Sequence, residues 1–391
     1  MGLDSSSDFA LPDDHERAVL VGRVWRTDVG GPSVVAVRGA EVIDISATAP
    51  TMRDLCEAPL PAALAIDTEG EPIGLLADIL ANTPRGTRNP RTPWLLAPTD
   101  LQAIKAAGVT FAVSMLERVI EEKARGAPEQ APAIRAEIGA LIGDDLSRLK
   151  PGSPEAMALK KLLIEKGMWS QYLEVGIGPD AEIFTKAPPM AGVGHLAEIG
   201  VNPASTWNNP EPEIVLVAAS SGAIVGATLG NDVNLRDFEG RSALLLGKAK
   251  DNTASAAIGP FIRLFDRHFS LDDVRKAQVD LTVDGEDGYR LAGGSAMSKI
   301  SRDPADIMGA AIGKNHQYPD GVVLYLGTMF APVADRDVKG QGFTHKTGDI
   351  VTVASPKLGR LSNRVVSTHD AEPWTFGAGA LMRNLARRGL I

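Results

Sequence analysis

The 391-residue chain contains a single cysteine, Cys56, so no intrachain disulfide can staple it and the fold must rest on buried apolar area. One cysteine fits a reducing compartment, and we expect a cytoplasmic protein. Basic residues are also scarce: 40 Lys and Arg against 49 Asp and Glu leave a net charge of −9. Duplex binding draws its affinity from clustered cations, so no nucleic-acid partner is expected, and the densest basic stretch, Arg383 to Arg388, reads as one face of a helix. No apolar run reaches the ~18 residues of a membrane span, so no membrane partner is expected either. Met1 to Glu16 is polar and acidic, unlike a signal or transit peptide. Met1 to Ser6 fits the bare myristoylation pattern, but nothing basic follows to support an anchor.

What is present is an ordinary globular balance in a chain long enough for two domains. Short β-runs with turn residues fill the first part: Ala18 to Trp25, Ser33 to Val37 and Glu41 to Ile45, with a hairpin at Arg38-Gly39-Ala40. The Pro- and Arg-rich stretch Pro84 to Arg91 reads as a linker, giving a small N-terminal β-rich domain over 1–95 and a larger domain over 96–391. Met115, Leu116, Val119 and Ile120 stand at helical spacing within Ser114 to Gly126. Ala131 to Leu149 and Pro154 to Gly167 continue that signal, so about 114–170 is expected to be a helical insert, serving either as a cover for an active site or as packing. Strands are expected again at Ile214 to Leu229, Gln278 to Val283, Val322 to Leu326 and Asp349 to Val353.

The acids of most interest sit on one predicted hairpin. Two apolar runs, Ile214 to Ala219 and Ala223 to Leu229, flank Ser220-Ser221-Gly222. A two-residue turn at Ser221-Gly222 pairs Ser220 with Ala223, and counting outward places Glu211 opposite Asp232. Alternation along a strand points Glu211 and Glu213 to one face, and Pro212 between them is tolerable near a strand end. Glu211, Glu213 and Asp232 therefore converge. Carboxylates so placed repel one another unless a cation joins them. Oxygen donors without histidine or cysteine suit Mg²⁺, Mn²⁺ or Ca²⁺ rather than structural zinc. An isolated Glu-x-Glu would mean nothing; the register is what makes the set specific.

Phe184-Thr185-Lys186-Ala187-Pro188-Pro189, Glu211-Pro212-Glu213, Asn231 to Asp237, Lys250 with Ile258-Gly259-Pro260, Gly327-Thr328 and Gly348-Asp349-Ile350 follow one another in an order that resembles the fumarylacetoacetate hydrolase superfamily over about residues 95–391. The resemblance implies an α+β, mostly β fold: a mixed β-sandwich or roll with the helical insert and the small N-terminal domain, assembled as a homodimer or homotetramer. It implies Mg²⁺, with Mn²⁺ as an alternative, held by Glu211, Glu213 and Asp232. It also implies a 2-oxo acid substrate that chelates the ion and thereby acidifies its C3 hydrogen. Lys250 falls on the family's catalytic lysine, and Lys186, Arg236 and Thr328 fall on positions assigned to substrate. Without the resemblance, Lys250 would read as a surface lysine, Arg236 as a partner of Asp237 or Glu239, and Thr328 as a strand-end hydroxyl.

Hydrolases of the family carry a His three residues before a Glu. Here Gly108 to Glu117 places Ser114 where that histidine stands, with Glu117 retained. A serine hydroxyl is no base at neutral pH, so carbon-carbon hydrolysis is disfavoured, while Glu117 could protonate a leaving hydroxyl. Val109 to Ser114, Trp169 to Val175, Asn231 to Leu246 and His316 to Gly321 are similar to members that dehydrate 2-keto-3-deoxypentonates. The resemblance thus implies conversion of a 2-keto-3-deoxy sugar acid to 2,5-dioxopentanoate and water. An acylpyruvate-type hydrolase, or a non-catalytic binder of metal and 2-oxo acid, are the alternatives.

Overall fold

The computed structural model describes residues 2–125, 127–134, 136, 149–165, 167, 169–330, 332, 334–339 and 342–391, with all their side chains except those of 112–114, 116 and 128. Two mixed sheets face each other. The wide sheet has 11 strands, and its spatial order is Glu71–Leu75, Glu41–Asp44, Gly31–Arg38, Leu20–Arg26, Ala256–Leu264, Ile224–Asp232, Pro212–Ala218, Val322–Tyr325, Ala103–Ala107 and Ile183–Ala187, with Trp94–Leu95 against Leu20–Arg26. The second sheet has 5 strands: Arg290–Ala296, Gln278–Asp284, Ile350–Ser355, Gly359–Ser367 and Glu198–Val201. Val322–Tyr325 with Ala103–Ala107, and Gly359–Ser367 with Glu198–Val201, are the parallel pairs that make these sheets mixed.

Side-chain alternation explains how the layers close. Ile214, Leu216 and Ala218 face the second sheet and pack with Leu281, Val283, Val351, Val353 and Leu361. Val215 and Val217 point the other way, into a core shared with Met52 and Leu55 of a short helix, Met52–Glu57. The strand that carries Glu213 and follows directly on Glu211 is thus buried on both faces, which holds its outer end in place. Leu20 lies opposite Arg263, so the N-terminal strands extend this same sheet, and the sheet runs unbroken past residue 95.

The central hairpin corrects the expected turn and keeps the expected register. Ala219 accepts from Gly222 and donates to Ala223, so the loop is Ser220-Ser221-Gly222, with Gly222 at φ +85°. This is the three-residue loop closed by a left-handed glycine. It slips the pairing to Ala218 opposite Ile224, and a bulge at Val225 restores Val217 opposite Gly226 and Glu213 opposite Gly230. The Asp232 amide then donates to the Glu211 carbonyl at 3.0 Å. Two local deviations cancel, and the outer end matches the sequence reading.

The helix expected from residue 114 spans Ala112–Lys123 and buries Met115, Val119 and Ile120 against Tyr172, Leu173 and Trp207. Pro154–Glu165 is a further helix of the insert. Most of the stretch expected as helix over 131–149 lies outside the described residues. No helix among the described residues is long and apolar enough to cross a membrane.

Candidate metal and acid-base site

Glu211, Glu213 and Asp232 come together at the open end of the hairpin, each offering a carboxylate oxygen within 4.8 Å of the others. All three are at most 2% exposed. Buried carboxylates this close need cations, and the chain supplies some. Lys250, at the end of the short Leu246–Lys250 helix, pairs with Glu211 and lies 3.1 Å from Asp232 Oδ2. Lys186, fully buried on the edge strand Ile183–Ala187, lies 2.7 Å from Asp232 Oδ1. Its ammonium also donates to the Val233 carbonyl at 3.1 Å, to Ser255 Oγ at 3.2 Å and to the Lys250 carbonyl. Lys186 therefore ties the aspartate and the main chain of Lys250 together from beneath.

The electrostatics are uneven. Burial pushes Glu213 well above the usual carboxylate range, and Asp232 adds to this, although Lys250 and the Gly327 amide at 2.7 Å oppose it. Burial also pushes Asp232 up, but the two lysines outweigh it and hold the group below its ordinary value. Burial drives the Lys186 ammonium down against the pull of Asp232. A carboxyl that resists ionisation beside two that accept cations is the signature of a cluster short of positive charge. The donor set fits an oxygen-preferring divalent ion: three carboxylates, hard and convergent, with no thiolate or imidazole among them.

A cavity of about 20 Å³ opens beside Glu211, walled by Arg118, Glu182, Phe184, Lys250 and Thr328 among others. Thr328 Oγ1 donates to the Phe330 carbonyl at 3.2 Å, which fixes the loop after Val322–Tyr325. Glu182 was not singled out from the sequence. Burial raises its carboxyl to about 7, with Glu239 adding to the effect and Lys250 and Arg118 opposing it. The missed signal was periodic: Glu182, Phe184 and Lys186 alternate on one strand face, so the acid lies on the side of a lysine that the motif had already marked.

The helical insert contributes Arg118. Its guanidinium pairs with Glu211, with Glu121 at 2.5 Å and with Glu239 at 3.4 Å. Burial alone would lower its pKa, and Glu121 and Glu239 more than reverse that. Arg236 does not wall the cavity. It sits behind, 3.1 Å from Glu121, donating to the Pro332 carbonyl at 3.1 Å and stacked over Trp207 at 5.6 Å. Glu117 is buried one residue from Arg118 and is not among the residues that wall the cavity. Ser114 belongs to the same helix, and its side chain lies outside the described residues.

Residues 178–366 match the fumarylacetoacetate (FAA) hydrolase C-terminal family. Over 183 residues the chain is 32% identical to a 2-dehydro-3-deoxy-D-arabinonate dehydratase of Saccharolobus solfataricus, covering 46% of this chain and 57% of that protein. Over 205 residues it is 31% identical to a probable 2-keto-3-deoxyxylonate dehydratase of Haloferax volcanii, covering 52% of this chain and 66% of that protein. The chain thus spans less than two thirds of the length of either relative. The fold is similar to that of a 2-keto-3-deoxy-D-arabinonate dehydratase complexed with magnesium and 2,5-dioxopentanoate, with a TM-score of 0.60 at 20% identity over 89% of this chain and 99% of that one.

Proposed function

From a chain that carries a fumarylacetoacetate hydrolase family domain over residues 178–366, we propose a divalent-metal-dependent hydro-lyase that converts a 2-keto-3-deoxypentonate to 2,5-dioxopentanoate and water. The observation that carries this reading is a cavity walled by Lys250, by Glu182 with its carboxyl raised to about 7, and by Glu211 of the buried carboxylate triad. Relatives named as dehydratases of such acids support it.

In this reading Glu211, Glu213 and Asp232 hold Mg²⁺. When bound, the ion would polarise the C2 carbonyl of a 2-oxo acid and so acidify C3. With the ion on the triad carboxylates, Lys250 gives up its own proton and, as the neutral amine, accepts the C3 proton, its Nζ being held at the triad beside Glu211 and Asp232. Glu182 donates a proton to the departing C4 hydroxyl, which leaves as water. Loss of a C5 proton and protonation at C3 then move the double bond to C4–C5, giving the enol of the terminal aldehyde. Lys186 keeps Asp232 and the Lys250 main chain in place, and Thr328 offers a hydroxyl to a substrate oxygen. Arg236 acts from behind, by holding Glu121.

A second reading gives the acid role to Glu117, as the sequence suggested, with Ser114 orienting it or the substrate. Its helix also carries Arg118 to the cavity wall. Comparison of E182Q with E117Q separates the two, since the variant that lacks the acid loses dehydration while retaining C3 proton exchange.

The reaction class is tested by incubating the protein with Mg²⁺ and either a 2-keto-3-deoxypentonate or an acylpyruvate. Dehydration yields an aldehyde acid from the first; hydrolysis yields pyruvate and a carboxylic acid from the second. Pyruvate formation without aldehyde would replace this proposal with the hydrolase.

A further inference from the structure

Among the described residues that wall the cavity, the cations are Arg118 and Lys250, and the chemistry above uses only Lys250. Arg118 is built into the site by two separate sets of contacts. One guanidinium nitrogen, Nη2, holds the triad carboxylate Glu211, while the other, Nη1, holds Glu121 at 2.5 Å and Glu239 at 3.4 Å. Glu121 is in turn held by Arg236 at 3.1 Å. Two arginines and two glutamates form a charge-neutral frame that does not depend on Glu211. If another cation takes Glu211, Nη1 stays anchored and Nη2 is left facing the cavity with hydrogens to donate.

Charge determines what such an edge should meet. With Lys250 counted as the ammonium it is before giving up its proton and Glu182 as the protonated acid, Glu211, Glu213 and Asp232 set against Lys186, Lys250 and a divalent ion leave one positive charge, the frame contributing none. The loaded site is therefore complementary to a monoanion, and a planar guanidinium edge is the group best shaped for a carboxylate. We propose that Arg118 is a specificity-determining residue: it occupies Glu211 in the ion-free protein and, once a divalent ion takes that carboxylate, presents the same edge to the carboxylate of a 2-oxo acid. This rests on the metal reading given above.

The test is calorimetric titration with Mn²⁺ alone, then with 2-oxobutyrate in saturating Mn²⁺, on wild type, Arg118→Met, Arg118→Lys and the control Glu213→Gln. Removing the competing cation in Arg118→Met should tighten Mn²⁺ binding about threefold or more and weaken 2-oxobutyrate about tenfold or more. Arg118→Lys keeps the charge and loses the fork, so Mn²⁺ affinity should stay within about twofold of wild type while 2-oxobutyrate weakens about threefold or more. This second variant carries the test if the first fails to fold. Unchanged 2-oxobutyrate affinity in the folded variants, with Mn²⁺ binding intact and dependent on Glu213, overturns the Arg118 assignment alone. Mn²⁺ binding that is absent from wild type, or indifferent to Glu213→Gln, overturns the metal reading and this inference with it.

Discussion

Two of the buried charge clusters among the described residues are built on opposite principles. Around Asp349, Arg336 makes a forked pair at 2.6 and 2.9 Å, His345 lies 3.5 Å away and the Lys346 amide donates at 2.9 Å. Burial pushes Asp349 up, and its contacts with His345 and Arg336 outweigh this and leave it below the ordinary range. Arg336 also reaches Asp287 and stacks over Tyr289 at 4.7 Å. Every charge there has a geometric partner within the chain. At the triad, by contrast, Glu213 resists ionisation even with two lysines and an arginine nearby. A cluster that balances its own charge holds a fold together; one that falls short is suited to an outside ion and its ligand.

That contrast can be broken at several points. The largest effect is expected at the triad, where Lys250→Met should lower kcat by about 10²–10⁴ while the melting temperature in saturating Mg²⁺, whose charge replaces the lost ammonium, stays close to wild type, as read by steady-state assay and thermal melting. The opposite pattern is expected at the balanced cluster. Arg336→Met strands a buried carboxylate and should cost about 3–5 kcal/mol of stability, measured by denaturant unfolding, with kcat per folded molecule little changed. A large kcat loss in folded Arg336→Met would erase the distinction between the clusters.

Glu182 sharpens the functional side through pH. A donor carboxyl near 7 is protonated below that pH and loses its proton above it, so kcat should fall on the alkaline side with a midpoint near 7. Glu182→Gln should lower kcat about 10²-fold and remove that alkaline limb from the pH profile. An alkaline limb that persists in Glu182→Gln and vanishes in Glu117→Gln would transfer the role to Glu117. The smallest effect belongs to the far end of the hairpin. Gly222→Ala has free space for its Cβ, Ile312 at 3.6 Å being the nearest group, so its cost is the positive φ alone. About 1 kcal/mol of stability should be lost, with kcat unchanged because the bulge at Val225 resets the register before the carboxylates.

The hairpin shows what the sequence carried and what it did not. Pairing of two apolar runs is a local matter, and a simple count along the ladder brought Glu211 opposite Asp232. The count succeeded although the turn has one residue more than was read, because a bulge restored what the loop displaced. Arg118 was illegible for a different reason. On its own helix it is one more polar residue after Glu117, and its meaning comes from Glu211, 93 residues away in sequence, and from Glu239. Such contacts arise only when the helical insert docks. Glu182 lies between these cases, since its alternation with Lys186 was visible, but nothing local marks a lone half-buried acid beside a strand end as facing the site. The N-terminal strands were legible as strands, whereas their pairing with Ala256–Leu264 was not, because edge choice is a tertiary decision.

The central claim is that the triad and Lys250 together remove a C3 proton from a 2-oxo acid. Proton NMR of 2-oxobutyrate in D₂O tests this without requiring dehydration, since that acid has no C4 hydroxyl to lose. With Mg²⁺, wild type should replace the C3 hydrogens with deuterium, and Lys250→Met and Asp232→Asn should not. Exchange that persists in both variants, or that wild type fails to catalyse with Mg²⁺ bound, would contradict the account.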